Sequence, residues 1–249
     1  MNNPHIIRLD TIDSTNNYLR SYRGNDDIVV VTARHQTAGR GQGDHRWEDN
    51  AGQNLLFSIQ VKPDTVPIDH QFVLAMAEAL ALKSALDIYT DDIRLKWPND
   101  IYYHNRKLSG TLIETSVNGG NLKRMILGTG INVNQQRFYS DAPNPISLCQ
   151  ITGKEENIDT LLQHILKAFC RYYNMATEGN YAAISREYHQ ALYRREGAYR
   201  YRDTSGEFTA EITGVGYDGR ITMRDSMGQL RRYAFKEVEF IIQQDYGKI

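Results

Sequence analysis

The sequence predicts an α+β protein: a mixed, mainly antiparallel sheet with flanking helices, followed by a small C-terminal antiparallel β-barrel. Three features carry that expectation. β-type runs at 93–96, 101–104, 108–117 and 122–133 are joined by tight turns at Pro98-Asn99, Asn105-Arg106 and Asn118-Gly119-Gly120, the punctuation of strand-turn-strand units. Apolar residues recurring at steps of three and four mark helices between and after them. From about Gly197 the chain changes to short alternating strands with turns at Thr204-Ser205-Gly206, Asp218-Gly219 and Ser226-Met227-Gly228. The expected division is a larger unit over 1–194 and the small barrel over 195–249.

In chain order, β-type runs open the sequence at 5–9, 28–34 and 53–61, the second built on Val29-Val30-Val31. Between the first two, residues 10–23 place Tyr18 and Leu19 on a short helix that Ser14 or Asp13 caps. Residues 36–52 are rich in glycine and charge and form the first loop with a functional character. Phe72, Ala75, Ala79, Leu82 and Leu86 make 71–88 an amphipathic helix. The four strands named above follow. Residues 134–144 are polar and include Pro143, with Pro145 next, so they read as a loop. Residues 161–175 and 181–193 are helical.

Composition bounds the function. The chain has 249 residues, 41% of them hydrophobic and 24% charged, which excludes a disordered or fibrous protein. Its 29 Lys+Arg against 30 Asp+Glu leave a net charge of −1, so no nucleic-acid or membrane partner is expected from a basic excess. Two cysteines, Cys149 and Cys170, supply neither a disulfide framework nor a cysteine-built zinc site and read as buried small residues. The seven histidines show no metal-ligand spacing, so no metal is expected on protein ligands alone. Met1-Asn2-Asn3-Pro4-His5 has neither the basic start nor the apolar run of a signal peptide. A cytoplasmic, reducing compartment is the expectation.

The sharpest tract runs from Arg34 to Trp47 and holds Gly39-Arg40-Gly41-Gln42-Gly43 after a strand. Glycines there let backbone N–H groups approach an anion, and arginines add forked donors for carboxylate or phosphate. No Gly-Lys-Ser/Thr follows, so it is no Walker loop, and no helix starts there, so it is no dinucleotide fingerprint. Gly214-Val215-Gly216-Tyr217-Asp218-Gly219 matches the dinucleotide pattern but lies between strands, as turn glycines do. Lys96-Trp97-Pro98-Asn99-Asp100 followed by Arg106-Lys107-Leu108-Ser109-Gly110 is the second constellation. A hairpin between them brings Asp100 and Lys107 to one face, where a lysine stabilises charge building up between two anions. Gly128-Thr129-Gly130-Ile131-Asn132 ends a strand with small residues that admit a flat ring and an amide suited to a purine edge. Ser14-Thr15-Asn16 offers hydroxyls and an amide to a small polar ring, or a helix cap. Each tract alone also fits an unliganded turn, cap or surface ion pair.

Taken together and in this order, these motifs strongly resemble those of the biotin–protein ligases (biotin–[acetyl-CoA-carboxylase] ligases), over about residues 5–140. The resemblance is to the monofunctional type without an N-terminal DNA-binding domain, since Ser14 already opens the catalytic unit. It implies a catalytic unit related to lipoyl ligases and class II aminoacyl-tRNA synthetases, with a C-terminal unit of Src-homology-3 type. It implies a biotin-binding set of Ser14, Thr15, Asn16, Gln36, Gly39, Arg40, Gly41, Gln42, Lys107 and Gly110, with Ser14, Thr15 and Gln36 on the ureido ring. The implied adenylate set is Arg40, Arg46, Trp47, Asn99, Asp100, Lys107 and Asn132, with the loop 135–146 along the nucleotide. Lys107, Arg40 and Asp100 are the implied catalytic residues. One departure stands out: the family loop is often more basic after Gly-Arg-Gly, whereas Gln42-Gly43-Asp44 follows here, before His45 and Arg46.

The activity so implied is activation of biotin with ATP and Mg2+ to biotinyl-5′-adenylate, then transfer to a lysine of a biotin carboxyl carrier domain of a carboxylase. A homodimer is compatible with it. The rival on the same fold is a lipoate or octanoate ligase or transferase; a cysteine-dependent transferase needs its nucleophile at the site, and neither cysteine falls in a motif. A repressor needs an extra DNA-binding segment of about sixty residues before Ser14, and a binding module without catalysis needs no Lys107–Asp100 pair.

Overall fold

The computed structural model describes residues 4–43, 46–139 and 144–242. Asp44, His45 and Pro143, singled out above, lie outside the described residues. Strands β1 (His5–Ile12), β2 (Ile28–Gln36), β3 (Leu55–Val61), β4 (Ile93–Lys96), β5 (Asp100–Tyr103), β6 (Arg106–Asn118) and β7 (Asn121–Ile131) form a sheet in the order β1-β2-β3-β7-β6-β5-β4. β1 and β2 run parallel, and helix α1 (Thr15–Ser21) lies in the crossover that such a pair requires. Every other neighbouring pair is antiparallel, as the tight turns predict.

Side chains alternate between the faces of a strand. One face of β3 and β7 sends Leu55, Phe57, Ile59, Met125, Leu127 and Ile131 into the main core. There they meet α2 (Phe72–Leu86), α4 (Ile158–Thr177) and α5 (Tyr181–Ala191). The sequence predicts α2 as amphipathic, and the structure corrects this: Val73 to Leu82 are buried all round, including Glu78. The cause is the second layer, because α4 and α5 cover the side of α2 that the sheet leaves open. The opposite face of the sheet presents Ser58, Gly128 and Gly130, with α1 packed over Val29, Val31 and Ile126 through Leu19.

Three local differences have local causes. Ser14 stands at the N-cap of α1 but makes no side-chain cap; Asp13 accepts from Asn17 at 2.6 Å instead, and Ser14 lines the cavity described below. α4 begins at Ile158 rather than 161 because Asn157 caps it, accepting the Thr160 N–H at 2.8 Å. A short helix, α3 (Leu148–Thr152), is absent from the sequence expectation, although Ser147 and Gln150 form a capping box and Gly153 ends it in the left-handed region. Cys149 is buried as expected, whereas Cys170 is only partly so.

The second sheet holds β8 (Tyr199–Asp203), β9 (Gly206–Val215), β10 (Ile221–Asp225), β11 (Leu230–Tyr233) and β12 (Glu239–Phe240) in the order β11-β10-β9-β8-β12, all antiparallel. This is the small barrel-like unit predicted from the turn spacing. Residues 216–219 make the β9–β10 turn, with the Gly216 N–H donating to Arg220 O at 2.8 Å, and no helix follows. The dinucleotide pattern is therefore a turn. The second sheet is tied to the first unit: Trp97 Nε1 donates to Gly219 O at 2.9 Å, and the Lys96 ammonium lies 4.9 Å from the Phe240 ring centre. We propose 1–194 and 195–249 as the two units, joined through these contacts.

Candidate active site

A cavity of about 660 Å³ opens on the face of the first sheet away from α2. At one end, α1 delivers Ser14, Thr15 and Asn16, all buried. The Thr15 backbone N–H donates to Gln36 Oε1 at 2.8 Å, and its hydroxyl donates to the same oxygen at 3.1 Å. Ser58 Oγ on β3 lies 2.7 Å from Thr15 Oγ1 and 2.6 Å from Asn16 Oδ1. Gln36 is held in turn by its backbone N–H, which donates to Asp49 Oδ2 at 3.1 Å, an oxygen that also lies 2.9 Å from His35 Nδ1. Two glycines make this packing feasible. A Cβ at Gly128 would stand 1.9 Å from Asn16 Oδ1, and one at Gly130 would stand 2.3 Å from the Trp47 ring. The space they leave is taken by Asn16 and Trp47.

The glycine-rich loop closes on itself. The Trp47 N–H donates to Gly39 O at 3.1 Å, and Arg40 and Arg46 face each other in an isolated bridge. Arg40, Gly41, Gln42, Arg46 and Trp47 line the cavity. Arg40 is not free: its Nη1 lies 3.3 Å from Glu114 Oε1 and donates to Asn17 Oδ1 at 3.3 Å, while Arg20 holds the same carboxylate through both oxygens. Trp47 Nε1 is buried with no partner among the described residues.

On the opposite wall, β5 and β6 form the expected hairpin. A register shift between Ile101 and Tyr102 lets Lys107 reach back, so that its Nζ stands 2.7 Å from Asp100 Oδ1. Lys96 adds a second ammonium 3.9 Å from Asp100 Oδ2; burial lowers its pKa, with Asp100 opposing and Lys107 and Arg194 reinforcing the fall. Asn99 Nδ2 donates to Thr111 O at 2.5 Å. Asn132 Nδ2 donates to Ile146 O at 3.1 Å, so its amide serves the backbone before any purine.

Of the residues expected at the site, Gly39 alone is absent from the cavity wall; it sits behind the wall, against Trp47 O. Residues 135–139 and 144–146 are described, and Phe138 and Pro145 line the cavity. The sequence expectation missed several members. Ser58, Asp49 and Glu114 orient the expected residues, and Lys96 lines the wall. Phe235 and Lys236 reach the cavity from the second sheet, and Lys236 Nζ lies 3.0 Å from where a Gly43 Cβ would stand. Only Lys96 lay within a quoted motif; the others have no local pattern that announces them.

Comparison with known proteins bears on this arrangement. Residues 9–132 match the Biotin/lipoate A/B protein ligase family. The chain is 28% identical over 241 residues to the "Bifunctional ligase/repressor BirA" of Bacillus spizizenii, covering 92% of this chain and 72% of that protein. It is 35% identical over 129 residues to the "Biotin--[acetyl-CoA-carboxylase] ligase" of Mycobacterium tuberculosis, covering 50% of this chain and 46% of that one. Among solved structures, the Aquifex aeolicus biotin protein ligase in complex with biotin and ATP superposes with a TM-score of 0.79 at 24% identity, covering 96% of this chain and 99% of that one, which shows the shared fold.

Proposed function

We propose that this chain, which belongs to the biotin/lipoate A/B protein ligase family, activates biotin with ATP and passes the biotinyl group to a lysine of a biotin carboxyl carrier domain. The observation that carries the reading is the Lys107–Asp100 pair, 2.7 Å apart, on the same cavity as the Ser14-Thr15-Asn16 and Gln36 cluster. That cluster offers hydroxyl and amide groups suited to a ureido ring. A lipoyl or octanoyl tail offers nothing for them to bond, and neither cysteine lines the cavity.

A carboxylate is a poor acyl donor, so it must first gain a leaving group. One biotin carboxylate oxygen attacks the α-phosphorus of ATP, the P–O bond to the β-phosphate breaks, and pyrophosphate departs. Two anions must approach for this, and charge grows on the oxygens between them. Lys107 bridges those oxygens, and Arg40, once it leaves Glu114, adds a forked donor on the loop side. Trp47 supplies a buried N–H that awaits an acceptor. In the second step a lysine amine of the carrier attacks the biotinyl carbonyl, the bond to AMP breaks, and the amine loses a proton; Asp100 is placed to position that amine or accept the proton. Asp100 Oδ1 is already engaged by Lys107, and Lys96 faces Oδ2. With both Asp100 oxygens facing ammonium groups, magnesium would arrive on the triphosphate and would supply charge neutralisation for the leaving pyrophosphate.

The test is incubation with biotin and MgATP alone. Pyrophosphate release without any carrier, then a carrier domain heavier by one biotinyl group on mass spectrometry, is the expected result. Equal turnover with lipoate or octanoate favours the rival, and strict dependence of pyrophosphate release on the carrier overturns the two-step order.

A further inference from the structure

Glu78 has no part in the chemistry above, yet it is a carboxyl group 2% exposed in the middle of an otherwise apolar stretch of α2. Among the described residues no cation pairs with it. Two hydroxyls reach it through the back of the sheet. Thr129 Oγ1 donates to Oε1 at 2.5 Å, Thr111 Oγ1 lies 3.0 and 3.2 Å from the two carboxyl oxygens, and the hydroxyls are 3.0 Å apart. A buried carboxyl group is costly unless hydrogen-bonded or neutral, and an apolar residue would pack at this position without that cost.

What the two threonines hold gives the position a purpose. Thr111 and Thr129 are direct partners across β6 and β7. Their chain neighbours Gly110, Gly128 and Gly130 line the cavity on the opposite face. The Thr111 N–H donates to Asn99 O at 2.9 Å, and Thr111 O accepts from Asn99 Nδ2 at 2.5 Å, so Asn99 on the cavity wall is carried by Thr111.

We propose that Glu78 is a positioning residue: its carboxyl group clamps Thr111 and Thr129 from behind the sheet and thereby holds Asn99 on the side of the cavity where ATP is expected. The inference rests on the adenylation reading above. Burial pushes the Glu78 carboxyl up to about 7, with the Thr129 and Thr111 hydroxyls opposing the rise. The groups facing it from β6 and β7 are these neutral hydroxyls. No charged group of α4, α5, β4 or β5, the other elements packed on α2, contributes to the shift. The clamp therefore has two forms near neutrality. The carboxylate accepts from both hydroxyls; the acid donates its own proton to one of them, so that hydroxyl reverses from donor to acceptor and the clamp's hydrogen bonds are redistributed.

The experiment is biotin-dependent pyrophosphate release by the full chain with MgATP, from about pH 5.5 to 8.5, for the parent, Glu78→Gln and Thr129→Val. The parent's KM for ATP should change about 5-fold across an inflection near neutrality. Glu78→Gln should lose that inflection and raise the KM for ATP by about 5–10-fold, with kcat and the KM for biotin within about 2-fold. Thr129→Val removes one arm of the clamp without touching the carboxyl group and decides the matter where Glu78→Gln does not fold. A folded variant that keeps both the parent's KM for ATP and its pH profile overturns the proposal. A parent that releases no pyrophosphate overturns the adenylation reading instead, so the two failures are distinguishable.

Discussion

The two ends of the cavity are built on different principles. At the α1 end, Thr15, Asn16, Gln36 and Ser58 hydrogen-bond one another on regular elements, and all but Gln36 are buried. At the loop end, Arg40 is 40% exposed and held by Glu114 and Asn17 through contacts of 3.3 Å. Buried, mutually satisfied hydrogen bonds fix a geometry before a ligand arrives. Partly exposed ion pairs contribute about 0–1 kcal/mol and give way readily. On the proposed function, the first end would select a ligand and the second would be completed by one.

Lys107→Ala should have the largest effect, because it acts where neither end can compensate. Losing a donor that strengthens toward the transition state costs about 3–4 kcal/mol, or about 10²–10³-fold in the rate of adenylate formation. Pyrophosphate release with biotin and MgATP measures it, with circular dichroism as the check on folding. Retention of more than about a third of the rate removes Lys107 from the bridging role.

Ser58→Ala probes the preformed end. It strips a partner from both Thr15 Oγ1 and Asn16 Oδ1, and a buried polar atom left unpaired costs about 1–3 kcal/mol. The KM for biotin should rise about 10-fold or more, since about 1.4 kcal/mol is one decade, with the KM for ATP nearly unchanged. Equal changes in both KM values mean that the two ends are coupled and the contrast fails.

Gln42→Arg probes the completed end. Gln42 offers a neutral amide where an arginine gives charge-assisted bonds of about 1.5–3 kcal/mol, so the variant should slow adenylate dissociation by about 10-fold. Lys236 tempers the expectation, because it already brings an ammonium beside Gly43 from the second sheet. Stopped-flow fluorescence with Trp47 as reporter reads the off-rate. An unchanged off-rate in Gln42→Arg, with a faster one in Lys236→Ala, assigns the anion contact to Lys236.

The same contrast governs what the sequence discloses. The β5–β6 hairpin was legible because turn residues mark it, and a short hairpin brings Asp100 and Lys107 to the same face. The order of the glycine loop, the Lys96–Asp100 tract and the Lys107 tract pointed to the family because each is contiguous. Ser58 and Glu114 were not legible. Each is one polar residue on a strand with no motif around it, and the partners Asn16 of Ser58 and Arg20 of Glu114 stand 42 and 94 positions away. Burial of α2 on all sides was equally hidden. Its alanines read as neutral until α4 and α5 are placed over them. Glu78 is buried for the same reason.

Glu114→Gln should have the smallest effect. The carboxylate holds Arg20 through a two-pronged contact and Arg40 through a single one at 3.3 Å, so Arg40 is the weaker tenant. An anion entering the cavity competes with Glu114 for that guanidinium. A neutral amide competes less, so the variant should lower the KM for ATP or biotin by about 2–3-fold, the scale of a partly exposed ion pair. The gain should shrink as salt rises, because an exposed pair is screened within a Debye length of about 10 Å at 0.1 M. Steady-state kinetics at low and high ionic strength test both statements. A KM that rises in Glu114→Gln reverses the argument: Glu114 would then be aiming Arg40 at the ligand, and the loop end would be as preformed as the α1 end.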